Sequence, residues 1–154
     1  MYNPLQVVNQ FIEFAKQDNG NQLTHMQLQK LLYIAHGVSL ACKDSPLLSE
    51  PVCAWKYGPV IPVVYDALKS FRSLPVEGHF NVNDRPLDAG AKALVKSVYD
   101  TYGKLSGIQL SEFTHRPNTP WSKTWAVNEK IISNELIKDY YKRLIQRDLS
   151  CQGL

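Results

Sequence analysis

The residues able to do chemistry in this chain are few and scattered. The candidate metal ligands and nucleophiles are His25, His36, His79 and His115 with Cys42, Cys53 and Cys151. A hydrolytic zinc needs two or three close ligands and an open coordination position. The chain has no HExxH, and His25 and His36 stand eleven residues apart, about three turns along a helix. A cysteine nucleophile needs a histidine within hydrogen-bond reach. Cys53 with His115 is the pair to weigh, against the plainer reading of a small buried thiol. An odd cysteine count without CxxC argues against a disulfide framework and a zinc site, so three reduced thiols are expected. No phosphate-binding glycine loop of either common type occurs. These residues therefore predict no catalytic residues, no metal and no cofactor, and a protein that is not an enzyme.

Two clusters combine aromatic side chains with backbone-restricting residues. One is Ala54-Trp55-Lys56-Tyr57-Gly58-Pro59-Val60; the other is Thr114-His115 followed by Thr119-Pro120-Trp121. Trp and Tyr suit sites with one dry side and one polar tip, in cores and in interfaces alike. Packing and partner binding both fit. Basic residues crowd the C-terminal part (Lys123, Lys130, Lys138, Lys142, Arg143, Arg147), but Glu129, Glu135, Asp139 and Asp148 are interleaved with them. Mixed signs on a helix describe a solvated face rather than a phosphate-binding stripe, and a net charge of +3 is mild. Nucleic acid is the weaker expectation for a partner.

The elements that must hold these clusters are mostly helical. Asn3-Pro4 is a cap and first-turn pair, with Leu5, Val8, Phe11, Ile12 and Ala15 at helical spacing up to about residue 18. Thr24 and Gln27 match a capping box, and the apolar run behind them predicts a central helix over about 25–42. Residues 52–57 read as a short strand, with Cys53, Trp55 and Tyr57 on one side, ended by Gly58-Pro59. Further helices are expected from Pro62, from Asp88 to about Tyr102, over about 107–114, from Thr119-Pro120, and after Ser133. Residues 74–86 read as a loop or a marginal second strand around 78–82, and residues 128–132 as extended. The fold class is mainly α (α+β): a compact bundle of about six or seven helices with a small antiparallel sheet, in one domain over residues 1–148 and a frayed tail over 149–154. Hydrophobic residues make up 44% of the chain and charged ones 20%, as in globular domains. Residues 1–20 lack the pattern of a signal peptide, and no run reaches the ~18 apolar residues of a membrane span. No membrane partner and a cytoplasmic location are expected.

Taken in order, several strings resemble a known family. They are Leu28-Gln29-Lys30-Leu31-Leu32-Tyr33-Ile34-Ala35-His36, the Ala54–Val60 cluster with Val64-Tyr65, then Leu110-Ser111, Thr114-His115 and Pro120-Trp121. Over about residues 4–146 the chain resembles the Panacea domain, the SocA-like antitoxin and phage-associated family. The resemblance implies an antitoxin of a bacterial or phage toxin–antitoxin system. It would neutralise a cognate protein toxin, encoded next door, by direct binding. One alternative it implies is an adaptor delivering the toxin to a cytoplasmic protease; a nucleic-acid-binding regulator is another reading, although the chain ends soon after the domain and no appended DNA-binding module is expected. Trp55, Tyr57, Gly58, Pro59, Thr114, His115, Pro120 and Trp121 match the family pattern, as scaffold or partner-binding residues. The expected contact surfaces are the 74–86 loop, the Gly58-Pro59 turn and the wet face of the last helix.

Overall fold

A computed structural model describes residues 1–148; the expected frayed tail, 149–154, lies outside the described residues. In chain order the elements are α1 (Pro4–Gln17), α2 (His25–Lys43), β1 (Cys53–Trp55), β2 (Gly58–Val60), α3 (Pro62–Leu68) continued by a 3-10 turn (Lys69–Phe71), α4 (Ala89–Tyr102), α5 (Gly107–His115), α6 (Pro120–Ala126) and α7 (Asn134–Asp148). The fold is mainly α with a small antiparallel sheet, as the periodicities predict.

Local chemistry sets the helix starts. The Asn3 side chain accepts from the Leu5 N–H at 2.9 Å. Thr24 and Gln27 close a reciprocal box, with the Thr24 N–H on Gln27 Oε1 at 2.8 Å and the Gln27 N–H on Thr24 Oγ1 at 3.3 Å. Asp88 accepts from the Ala91 N–H at 2.7 Å. Each satisfies donors that a helix terminus otherwise leaves unpaired.

The sequence of α2 is apolar on every side, and α2 accordingly runs through the centre, buried from Leu28 to Leu40. It packs against α1, α3, α4, α5, α7 and β2. Gly37 permits the closest approach: a Cβ there would overlap the ring of Tyr141 on α7. Tyr141 in turn meets Tyr33 edge-on, centroids 5.9 Å apart. His36 is buried beside this contact. Its Nδ1 accepts from the Leu48 N–H at 3.2 Å and its Nε2 donates to Asn134 Oδ1 at 3.0 Å. It thereby ties the chain after α2 to the start of α7 as a neutral ring.

The sheet differs from the sequence expectation. Gly58-Pro59 does not end the strand; it begins a second one. Lys56 and Tyr57 form the turn, and β1 pairs with β2 in the register Cys53↔Val60, Ala54↔Pro59, Trp55↔Gly58. The Ala54 N–H faces away from β2, onto the Lys130 carbonyl at 2.8 Å. Ala54↔Pro59 is thus a non-hydrogen-bonded pair, and the N–H that proline lacks is not one the ladder needs. Residues 78–82 form no strand. Instead Asn9 holds the Phe80 backbone with two bonds, 2.7 and 2.9 Å. The expected extended stretch is present near Ile131, which bridges Cys53 on the free side of β1. Cys53 is a free thiol, whereas Cys42 is disulfide-bonded, correcting the expectation of three reduced thiols. Among the described residues, no helix is long and apolar enough to cross a membrane.

Candidate functional site

Both aromatic clusters converge on the hairpin. From beneath, α2 grips β2. Gln29 Oε1 accepts the Ile61 N–H at 2.9 Å, and Gln29 Nε2 reaches the Ile61 carbonyl at 3.3 Å and His25 Nε2 at 3.1 Å. Lys30 is only 3% exposed and donates to the Pro59 carbonyl at 2.8 Å. Gly58 is required here on two counts. Its φ of +115° is one that L residues rarely adopt, and a Cβ would stand 3.1 Å from Lys30 Nζ.

From the side, α5 and α6 lock the other strand and the turn. Ser111 Oγ donates to the Tyr57 carbonyl at 2.9 Å. His115 Nδ1 donates to the Ser111 carbonyl, and its ring stands edge-on to Trp121, centroids 5.3 Å apart. Trp121 Nε1 donates to the Trp55 carbonyl at 2.6 Å and its ring stacks on Trp125 at 5.4 Å. Thr119 and Pro120 start α6 with a reciprocal Thr119–Ser122 cap. Thr114 is buried and bonds back to the Leu110 and Ser111 carbonyls.

Of the eight residues the sequence singles out, Gly58, Pro59, Thr114, Pro120 and Trp121 are buried and His115 half-buried, while Trp55 and Tyr57 are exposed. The Gly58-Pro59 pair is therefore inside; the surface tip is Lys56-Tyr57. Cys53 and His115 do not make a nucleophile pair. His115 is engaged with Ser111 and Trp121, and burial pushes the Cys53 thiol up, opposite to the direction an attacking thiolate needs. Among the described residues, no three His, Cys, Asp or Glu side chains gather where they could hold a metal.

Above the grip lies a cavity of about 320 Å³ lined by residues of α2, the hairpin, α3 and Arg72. Trp55 and Tyr65 meet edge-on across it, centroids 5.0 Å apart, and His25 lies 5.5 Å from Tyr65. Burial holds the Lys30 ammonium down to about 7, and lowers His25 in the same sense, with Lys30's charge adding to it. Gln29, Lys30 and Ser111 received no role from the sequence. The available signal was a Gln-Lys pair inside a helix whose apolar residues cover every face.

The family model for the antitoxin SocA-like, Panacea domain matches residues 28–122. The chain belongs to that family. A curated relative, "Antitoxin SocA" of Caulobacter vibrioides (strain NA1000 / CB15N), is 32% identical over 109 residues, which cover 64% of this chain and 58% of the relative. The chain thus matches less than two thirds of that relative's length. No solved structure matches. The Panacea match encloses Gln29 and Lys30 of α2, the hairpin, α5 and Trp121 on α6, and leaves out α1, α7, His25 and Met26 at the start of α2, and Trp125.

Proposed function

We propose that this Panacea protein is an antitoxin that neutralises a protein toxin by direct binding, in the cytoplasm and without catalysis of its own. The observation that carries the proposal is the similarity to a named antitoxin within a family whose matched span contains most of the site. The surface at that site suits the role. Hot spots of protein interfaces are rich in Trp, Tyr and Arg, and Trp55, Tyr57, Tyr65 and Arg72 stand exposed around one cavity. The buried members of the pattern, Gly58, Pro59, Thr114, Pro120 and Trp121, would serve as scaffold that fixes the tip; His115 braces it. A stable complex would cover on the order of 1,200–2,000 Å² in all, enough to mask a toxin's active surface.

Co-expression with the protein encoded by the adjoining open reading frame is the test. Growth arrest by the neighbour alone, relieved by this protein with recovery of a complex, is the expected result. A neighbour that is harmless, or equally toxic in its presence, would sink the proposal. Disappearance of the toxin instead of a stable complex would replace masking by delivery to a protease.

A further inference from the structure

The hairpin cavity is electrostatically one-sided. The chain as a whole has 17 basic and 14 acidic residues, yet among the described residues Lys30, Lys56 and Arg72 line the cavity and no Asp or Glu does. Lys56 and Arg72 sit exposed at the rim, while Lys30 is 3% exposed at the floor. An ammonium has three donor positions; one meets the Pro59 carbonyl, and no carboxylate pairs with Lys30 among the described residues. A buried cation without a counter-ion is unfavourable, and burial has already drawn its pKa down to about 7. The walls are Trp55, Tyr57, Tyr65, Met26 and Val60, with the His25 ring beside Tyr65. Gln29, the one amide in the lining, is engaged with Ile61 and His25, which leaves no free amide to read a nucleobase edge. What remains is an apolar cleft with cations at floor and rim.

We propose that this cavity receives an acidic segment of the partner toxin, one Asp or Glu carboxylate pairing with Lys30 while a neighbouring aromatic or aliphatic side chain lies against Trp55 and Tyr65. The proposal rests on the reading of the chain as a toxin-binding protein and names the chemistry of the contact. A carboxylate at the floor supplies the missing counter-charge in a setting sheltered from water, where charge-assisted bonds are strong. Lys56 and Arg72 hold the flanking acids of the same segment, and the rim aromatics exclude solvent from the pair.

The probes are a blocked Glu-Phe-Glu-Leu peptide and its Gln-Phe-Gln-Leu counterpart, titrated into the full chain while the Lys30 and Trp55 side-chain resonances are followed. The acidic peptide should move both sets saturably at millimolar concentration, and the neutral one should bind at least tenfold more weakly. Lys30→Met should erase the preference, and the exposed-site variants Lys56→Glu and Arg72→Glu should each weaken the acidic peptide several-fold with the fold intact. Equal response to both peptides, response to neither, or undiminished binding of the acidic peptide by Lys30→Met would overturn the proposal. So would movement of these resonances by AMP and not by the peptide. The two levels separate in co-expression. Full neutralisation by Lys30→Met removes the cavity contact and leaves the antitoxin reading standing. Failure of the wild type to neutralise removes that reading, and the peptide titration then judges the cavity alone.

Discussion

Lys30 carries its charge where burial penalises it, so its worth depends on pH. Its folded pKa of about 7 lies below the 10.5 of a free lysine, so unfolding takes up a proton between those values and stability climbs as pH rises through them. Urea denaturation should show a gain of roughly 2–3 kcal/mol from pH 7 to pH 9. Lys30→Met should lack that gain and equal or exceed the wild type at pH 7, because an apolar side chain of similar length removes an unpaired buried charge. His36 behaves with the same sign in a lower window. Desolvation is the main cause of its lowered pKa, against a raising contribution from Asn134. The unfolded chain therefore protonates first, and stability is lost as pH falls from about 6.5 through the folded value. His36→Phe should flatten part of that acid slope in the same assay. It should also cost about 1–3 kcal/mol at neutral pH, since the Leu48 N–H and Asn134 lose their partner. Neither role is readable from the sequence, where His36 is weighed only as a metal ligand and both side chains otherwise stand inside an apolar run.

At the level of elements, the α2–α7 crossing tests how closely two helices are matched. Alanine is a better helix former than glycine by roughly 0.5–1 kcal/mol, but at position 37 a methyl group meets the Tyr141 ring. Overpacking of this kind costs about 1–3 kcal/mol. Gly37→Ala should therefore destabilise, measured by thermal melting, and the loss should shrink when Tyr141→Leu makes room. Helix starts were legible because their signals are local: Asn3-Pro4, Thr24 with Gln27, Asp88, Thr119-Pro120. The hairpin was not. Its Lys56-Tyr57 turn lacks the Asn-Gly type of signature, and Pro59 reads as a strand breaker until the register shows that its missing N–H faces away from the ladder. At 78–82 the loop reading holds and the alternative of a second strand does not, and only the distant Asn9 reveals how that backbone is held.

For the whole molecule, one contiguous core runs from Tyr2 to Ile145, and periodicity alone indicates most of it. The site is different. Lys30 and Pro59 are 29 residues apart, Tyr57 and Ser111 54, Trp55 and Trp121 66. Contacts of that reach exist only after the helices pack, so the residue types were visible and their convergence was not. The same convergence gives a nearly neutral protein a locally positive face. Association with an acidic partner should accordingly slow several-fold between about 50 and 300 mM salt, with dissociation less affected, as stopped-flow mixing can measure.

The small sheet has a further consequence. On one side β1 pairs with β2; on the other, the Ala54 N–H and the Val52 carbonyl are taken by residues 130 and 132. Along the outer margin of β2, Lys30 and Gln29 occupy the Pro59 and Ile61 backbone groups. A visiting chain therefore finds no open margin on which to add a strand. Two copies cannot stack edge to edge through it either. On the proposed reading, recognition at this hairpin is confined to side chains, so specificity can be retuned by surface substitution at the tip without disturbing the ribbon that presents it.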